Sequence, residues 1–177
     1  MRVTLFLPLA LFLASPHAAS AFGAVPSLCK PTEAVLANAR VLRIDKASSG
    51  NPSEGKTVSL CTDRDEEPFR KLIYRFGTPS AIEAEIVAST EKKAGIYMQS
   101  DSGAHVGVIA IVFYAKPYSY VVSEAFAMGN GLRLLVYKHS ARVAEFSLLD
   151  YESKITTIDS DAPKSPVFKR VQPIEPL

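Results

Sequence analysis

The chain carries no tryptophan, two cysteines and three histidines among its 177 residues. Each scarcity removes a class of chemistry. No G-x-S-x-G elbow is present to seat a serine nucleophile, and no P-loop, dinucleotide fingerprint or zinc-spaced Cys/His pattern is present to hold a cofactor. The sequence therefore reads as a non-enzymatic protein, with no catalytic residue, cofactor or metal expected. An excess of charge of one sign is also missing, since 20 basic residues face 18 acidic ones for a net charge of +2. Nucleic acid and anionic membranes select a basic footprint, so neither is expected as a partner.

What is present begins with a leader. Met1-Arg2-Val3 runs into "TLFLPLALFLA", an apolar stretch of about a dozen residues behind one positive charge, followed by the small-residue segment "SPHAASA". This pattern predicts a signal peptide over residues 1–21, with Ala19-Ser20-Ala21 as the cleavage motif and Phe22 as the first mature residue. The apolar run is too short for a hydrocarbon core that needs about 20 residues, so no stable membrane insertion is expected. Cys29 follows Pro26-Ser27-Leu28 and lacks the small residue that must directly precede a lipidated cysteine. The mature protein is expected to be periplasmic or secreted. A bacterial source fits best, because the chain has no Asn-x-Ser/Thr acceptor once Asn51-Pro52-Ser53 is excluded by its proline. Residues 22–162 read as one β-rich domain and 163–177 as a proline-rich tail, extended and either packed along the domain or disordered.

Cys29 and Cys61 are the only cysteines. In an oxidising compartment such a pair reads as a disulfide, and closing a loop of roughly 30 residues would contribute roughly 3 to 4 kcal/mol by constraining the unfolded chain. Two ligands of a metal site are the competing reading, but His105 and His139 are far away in sequence and not ligand-spaced.

From Pro31, "PTEAVLANARVLRI" predicts a short N-terminal helix, with Thr32 as N-cap and Val35, Leu36 and Ala39 at partial helical spacing, turning extended at Val41. "DKASSGNPSEGK" is an exposed loop. The period then becomes two. "TVSLC", "KLIYRFG" and "AIEAEIVAS" alternate as strands, with "GTPS" turning between the last two. "VGVIAIVFYA" is apolar on both faces, as in a central covered strand. "KPYS", "MGNG" and "KHSA" then turn the chain through "YSYVVSEAF", "LRLLVY" and "RVAEFSLL". The predicted fold class is mainly β, an antiparallel meander forming a small barrel or sandwich.

Glu83 and Glu85 sit two apart on one strand face, and their simplest role is a solvent face opposite Ile82, Ala84 and Ile86 rather than glycoside hydrolysis. The acidic segment "CTDRDEEPF" lacks the spacing of a calcium loop and reads as a charged connection. Tyr97, Tyr114, Tyr118, Tyr120 and Tyr137 all fall in the sheet-forming half, where tyrosine serves as a core body with a wet tip or as a contact anchor.

Within "SGAHVGVIAIVFYAKPYSYVV", Ser102-Gly103 followed by Phe113-Tyr114-Ala115-Lys116 resembles the signature of the bacterial membrane-bound or periplasmic inhibitors of c-type lysozyme. The resemblance implies a small disulfide-bonded antiparallel barrel whose serine and lysine, here Ser102 and Lys116, enter the lysozyme cleft and engage its catalytic carboxylates. A broader resemblance, carried by "KTVSLC", "LIYRFG" and "YSYVV", is to uncharacterised exported bacterial proteins. The expectation is an exported binding protein that blocks a peptidoglycan hydrolase such as lysozyme, with Ser102, Lys116, Tyr118 and Tyr120 on the partner-binding surface. Two alternatives remain open: a small-ligand carrier with a tyrosine-lined barrel, and a hydrolase using His105 with a carboxylate.

Overall fold

The computed structural model describes residues 25–43, 55–91, 96–102, 106–127, 131–158 and 164–170. The predicted leader and His105 lie outside the described residues. Among the described residues ten strands follow one another: β1 Ala34–Arg43, β2 Thr57–Thr62, β3 Lys71–Thr78, β4 Ala81–Ser89, β5 Ile96–Ser102, β6 Val106–Ala115, β7 Tyr118–Ala127, β8 Gly131–Lys138, β9 Ala141–Ser153 and β10 Lys169–Arg170. They form one sheet in the order β10-β5-β6-β7-β8-β9-β1-β2-β3-β4. Every pairing is antiparallel except β10 on β5. The predicted mainly β antiparallel fold is observed as a single curled sheet, a half-barrel. Its terminal strands β10 and β4 do not pair with each other.

The predicted N-terminal helix is corrected. Ala34–Arg43 is a strand between β9 and β2, with bulges after Val35 and Asn38. Leu36, Ala37, Asn38 and Ala39 are all buried in succession. A run covered on both faces suits a strand with two partners, whereas a surface helix buries one stripe. Thr32 sits in a turn closed by a bond from Glu33 N–H to the Lys30 carbonyl, 2.9 Å. The helical structure among the described residues is the 3-10 turn Ile155–Thr157.

Alternation decides which side chains fill the concave side. Leu72, Tyr74 and Phe76 of β3 face inward, as do Ile109, Ile111 and Phe113 of β6 and Leu132 and Leu134 of β8. The curl brings opposite parts of the sheet together: β3 and β6 stand six places apart in the strand order, yet Tyr74 meets Phe113 at 5.4 Å and Tyr120 of β7 at 5.2 Å between ring centroids. Each fully buried leucine or isoleucine here is worth roughly 1.5–3 kcal/mol against exposure. The end away from the β6–β7 turn is stoppered by Phe69, Ile155, Ile158, Val167 and Phe168. Part of the tail therefore packs, with the Phe168 ring edge-on to Phe69 at 5.6 Å and Ser165 Oγ donating to the Phe69 carbonyl at 2.5 Å.

On the convex side the segment from Val25 to Glu33 lies as a strap over β2 and β3. Cys29 and Cys61 form a disulfide, S–S 2.04 Å. Leu28 N–H donates to Ser59 Oγ (3.0 Å), Ser59 Oγ to Asn38 Oδ1 (2.7 Å), and Asn38 Nδ2 to the Val25 carbonyl (2.7 Å). Arg75, on the face of β3 opposite Leu72, Tyr74 and Phe76, is buried beneath the strap at 2 % exposure. Its guanidinium donates to both oxygens of Glu33 (2.5 and 3.0 Å), to Glu85 (2.7 Å) and to the Leu28 carbonyl (3.0 Å). A charge at this depth is tolerated only when it is paired and hydrogen-bonded. Glu85 is thus an ion-pair partner, and Glu83 pairs with Lys56 at 2.9 Å.

Candidate functional site

Lys116 occupies the tip of the β6–β7 hairpin. Ala115 pairs with Tyr118, so Lys116 and Pro117 alone make the turn, with a cis peptide bond between them. The adjacent β8–β9 hairpin turns on His139 and Ser140, both with positive φ (48° and 68°), the left-handed pair that a two-residue turn between twisted strands requires. The two tips are joined: His139 N–H donates to the Pro117 carbonyl at 3.3 Å. Lys116 is exposed on a tip that is tied to its neighbour.

Parity along the strands distributes the surrounding tyrosines. Tyr118 and Tyr120 share the concave parity of Phe113 and Val122. Their rings lie 6.4 Å apart, and Lys138 Nζ stands 5.7 Å from the Tyr118 ring centroid. Burial is the main cause that pushes the Tyr74 and Tyr120 phenols upward, with Tyr120 adding to the effect on Tyr74 and Tyr118 to that on Tyr120. These phenols stay neutral at physiological pH.

Tyr114 and Tyr137 point to the convex side. Tyr114 pairs with Ser119, and Ser119 with Tyr137, so the three form one cross-strand row on β6, β7 and β8. Below that row lie Val112, Val121 and Leu135, a second buried cluster on which Tyr137 packs. A groove of about 290 Å³ runs between these residues and the two hairpin tips, with Lys116, Pro117, His139 and Ser140 in its lining. Among the described residues no carboxylate pairs with Lys116 or Lys138, whereas Arg142 is bridged to Glu145 at 3.1 Å. The two tips thus carry the basic side chains Lys116, Lys138 and Arg142.

Of the predicted binding residues, Lys116, Tyr118 and Tyr120 come together and Ser102 does not. Ser102 ends β5 opposite Gly107, nine residues from Lys116 along β6, or roughly 30 Å of strand. The placement of its side chain lies outside the described residues. Tyr118 and Tyr120 serve the tip from inside, through contact with one another and with the core. Tyr114, Tyr137 and His139 were seen in the sequence only as scattered residues. The signal that joins them is turn length, because a two-residue turn at 116–117 fixes 114 opposite 119. The Cys29, Glu33 and Cys61 ligand atoms lie within 4.8 Å of one another, but both sulfurs are consumed in the disulfide and the carboxylate is held by Arg75. No family model, curated protein or solved structure matches the chain.

Proposed function

We propose that this is an exported, non-enzymatic binding protein that inserts the Lys116 tip into an acidic cleft of a protein partner, a cell-wall hydrolase whose active site it blocks. The leader-like N-terminus and the disulfide support export. Among the described residues no helix is long and apolar enough to cross a membrane. The observation that carries the reading is the tie from His139 to Pro117, which holds the backbone of the turn that presents Lys116, exposed and, among the described residues, without a carboxylate partner. A preorganised turn loses little conformational freedom on docking, and the Lys116 and Lys138 ammonium groups are drawn toward a cleft lined by carboxylates. Ser102, roughly 30 Å away along β6, takes no part in this reading, which rests on the Lys116 end alone. The tyrosine-lined carrier is less well supported, because Tyr74 and Phe113 already fill the space beside Tyr120.

The test is capture by the immobilised, oxidised protein from a defined panel of muramidases and peptidoglycan amidases, with Lys116→Glu in parallel. Saturable capture and inhibition of one enzyme, weakened about 30-fold or more by the charge reversal, is the expected result. Equal capture by both forms would remove Lys116 from the mechanism, and no capture by the wild type would remove the hydrolase.

A further inference from the structure

The groove on the convex side differs from a plain apolar patch in the order of its parts. Tyr114 and Tyr137 stand on β6 and β8, with β7 and the small side chain of Ser119 between them. Two strand spacings put their Cα atoms about 9.5 Å apart. Clasping a ring on both faces at van der Waals contact takes about 7–8 Å between the walls, which leaves room for a puckered ring. Val112 and Val121 make an apolar floor, and the hairpin tips close one end with the Lys116 ammonium, the His139 imidazole and the Ser140 hydroxyl. Among the described residues no carboxylate lines the groove. At about 290 Å³, it is at the lower limit of small-ligand pockets, enough for one substituted ring.

We propose that this slot binds a single carboxylate-bearing pyranose of a glycan, with the sugar between Tyr114 and Tyr137 and its carboxylate toward Lys116. A pyranose has apolar C–H faces and a polar rim, and the slot matches both in the same arrangement. Aromatic side chains cover the faces, while Ser119, His139 and Ser140 reach the hydroxyls at the edge. The charge selects the acid. A carboxylate on an ammonium forms a charge-assisted hydrogen bond, stronger than any contact a neutral sugar makes there. The inference is independent of the hydrolase reading, since it needs no protein partner.

Calorimetric titration of the full oxidised protein with methyl β-glucuronide, and separately with methyl β-glucoside, tests it. The glucuronide should bind saturably, and the neutral glycoside about tenfold more weakly or worse. Ser119→Trp fills the slot from its floor and should abolish binding. Tyr137→Ala removes one wall and should do the same if the tryptophan variant does not fold, as checked by circular dichroism. Lys116→Gln should bring the two glycosides to within about twofold of each other. Absence of saturable glucuronide binding, binding that survives both slot variants, or equal affinity for acid and neutral sugar in the wild type would each overturn the proposal. Because no enzyme is present in the titration, its failure and the failure of the capture experiment are separate results.

Discussion

At the scale of single residues, Arg75 shows how a charge can be made structural. Its hydrogen bonds hold the Glu33 carboxyl below the usual value of 4.5, against burial, which acts the other way. The same bonds from Glu33, and then Glu85, push the guanidinium further up, so it stays charged at every accessible pH. The sign for stability follows from Glu33. A carboxyl whose folded pKa lies below its unfolded one adds stability that is complete above pH 4.5 and disappears as the pH falls through the folded value. Urea unfolding measured from about pH 7 to about pH 2 should show this loss beginning below pH 4.5, and Glu33→Gln should flatten that part of the profile. An unchanged acid limb in the variant would mean that other carboxylates dominate. None of this was legible in "KLIYRFG" and "KPTEAV", because alternation places Arg75 on the face opposite Tyr74 but is silent on what covers that face.

At the scale of elements, β6 and β7 depend on a missing side chain. Gly107 pairs with Phe126, and a Cβ on Gly107 would fall within the Phe126 ring. A glycine inside a strand marks such an approach. Gly107→Val should cost about 1–3 kcal/mol by overpacking, and Phe126→Ala in the same chain should return part of that loss. The double-mutant cycle should give a coupling above about 0.5 kcal/mol, and an additive cycle would refute the contact. Strands β2 to β4 and β6 to β9 were legible in the sequence because alternation, or in β6 an apolar run on both faces, is bounded there by turn signals. Three strands were not. The first part of β1 was read as a helix because Val35, Leu36 and Ala39 fall at partial helical spacing behind Thr32, β5 was missed because "QSDS" supplies no apolar alternation at Gln99, Ser100 and Asp101, and the two residues of β10 lie in a stretch read only as extended tail. In the candidate site the lysine tip was legible as a lysine and proline between apolar runs. The Tyr114–Ser119–Tyr137 row was not, since it exists only once the pairing of three strands is fixed.

At the scale of the whole molecule, the disulfide joins the strap to β2 across a separation of 32 residues, and β1 lies inside the loop it closes. Constraining that loop in the unfolded chain is worth roughly 3 to 4 kcal/mol. Reduction, or Cys29→Ser with Cys61→Ser, should lower unfolding free energy by about this amount. It should also speed hydrogen exchange at the Leu28 amide, which is bonded to Ser59 Oγ. Undiminished protection there would mean that the Arg75 cluster alone holds the strap.

The position of β1 has a consequence in time. Its two neighbours come from opposite ends of the chain: Arg40 pairs with Thr57 on one side and Leu149 on the other. A growing polypeptide can zip β1 onto β2 early, and the cysteines can oxidise as soon as that hairpin exists. The second edge must wait until almost the whole molecule has emerged. Long-range pairing of this kind slows folding, and through the interval the flank of β1 meant for β9 stands open to any other extended segment. Pairing with β2 closes one edge of this strand and the disulfide fastens the segment before it to β2, so that only the register with β9 is left to be found.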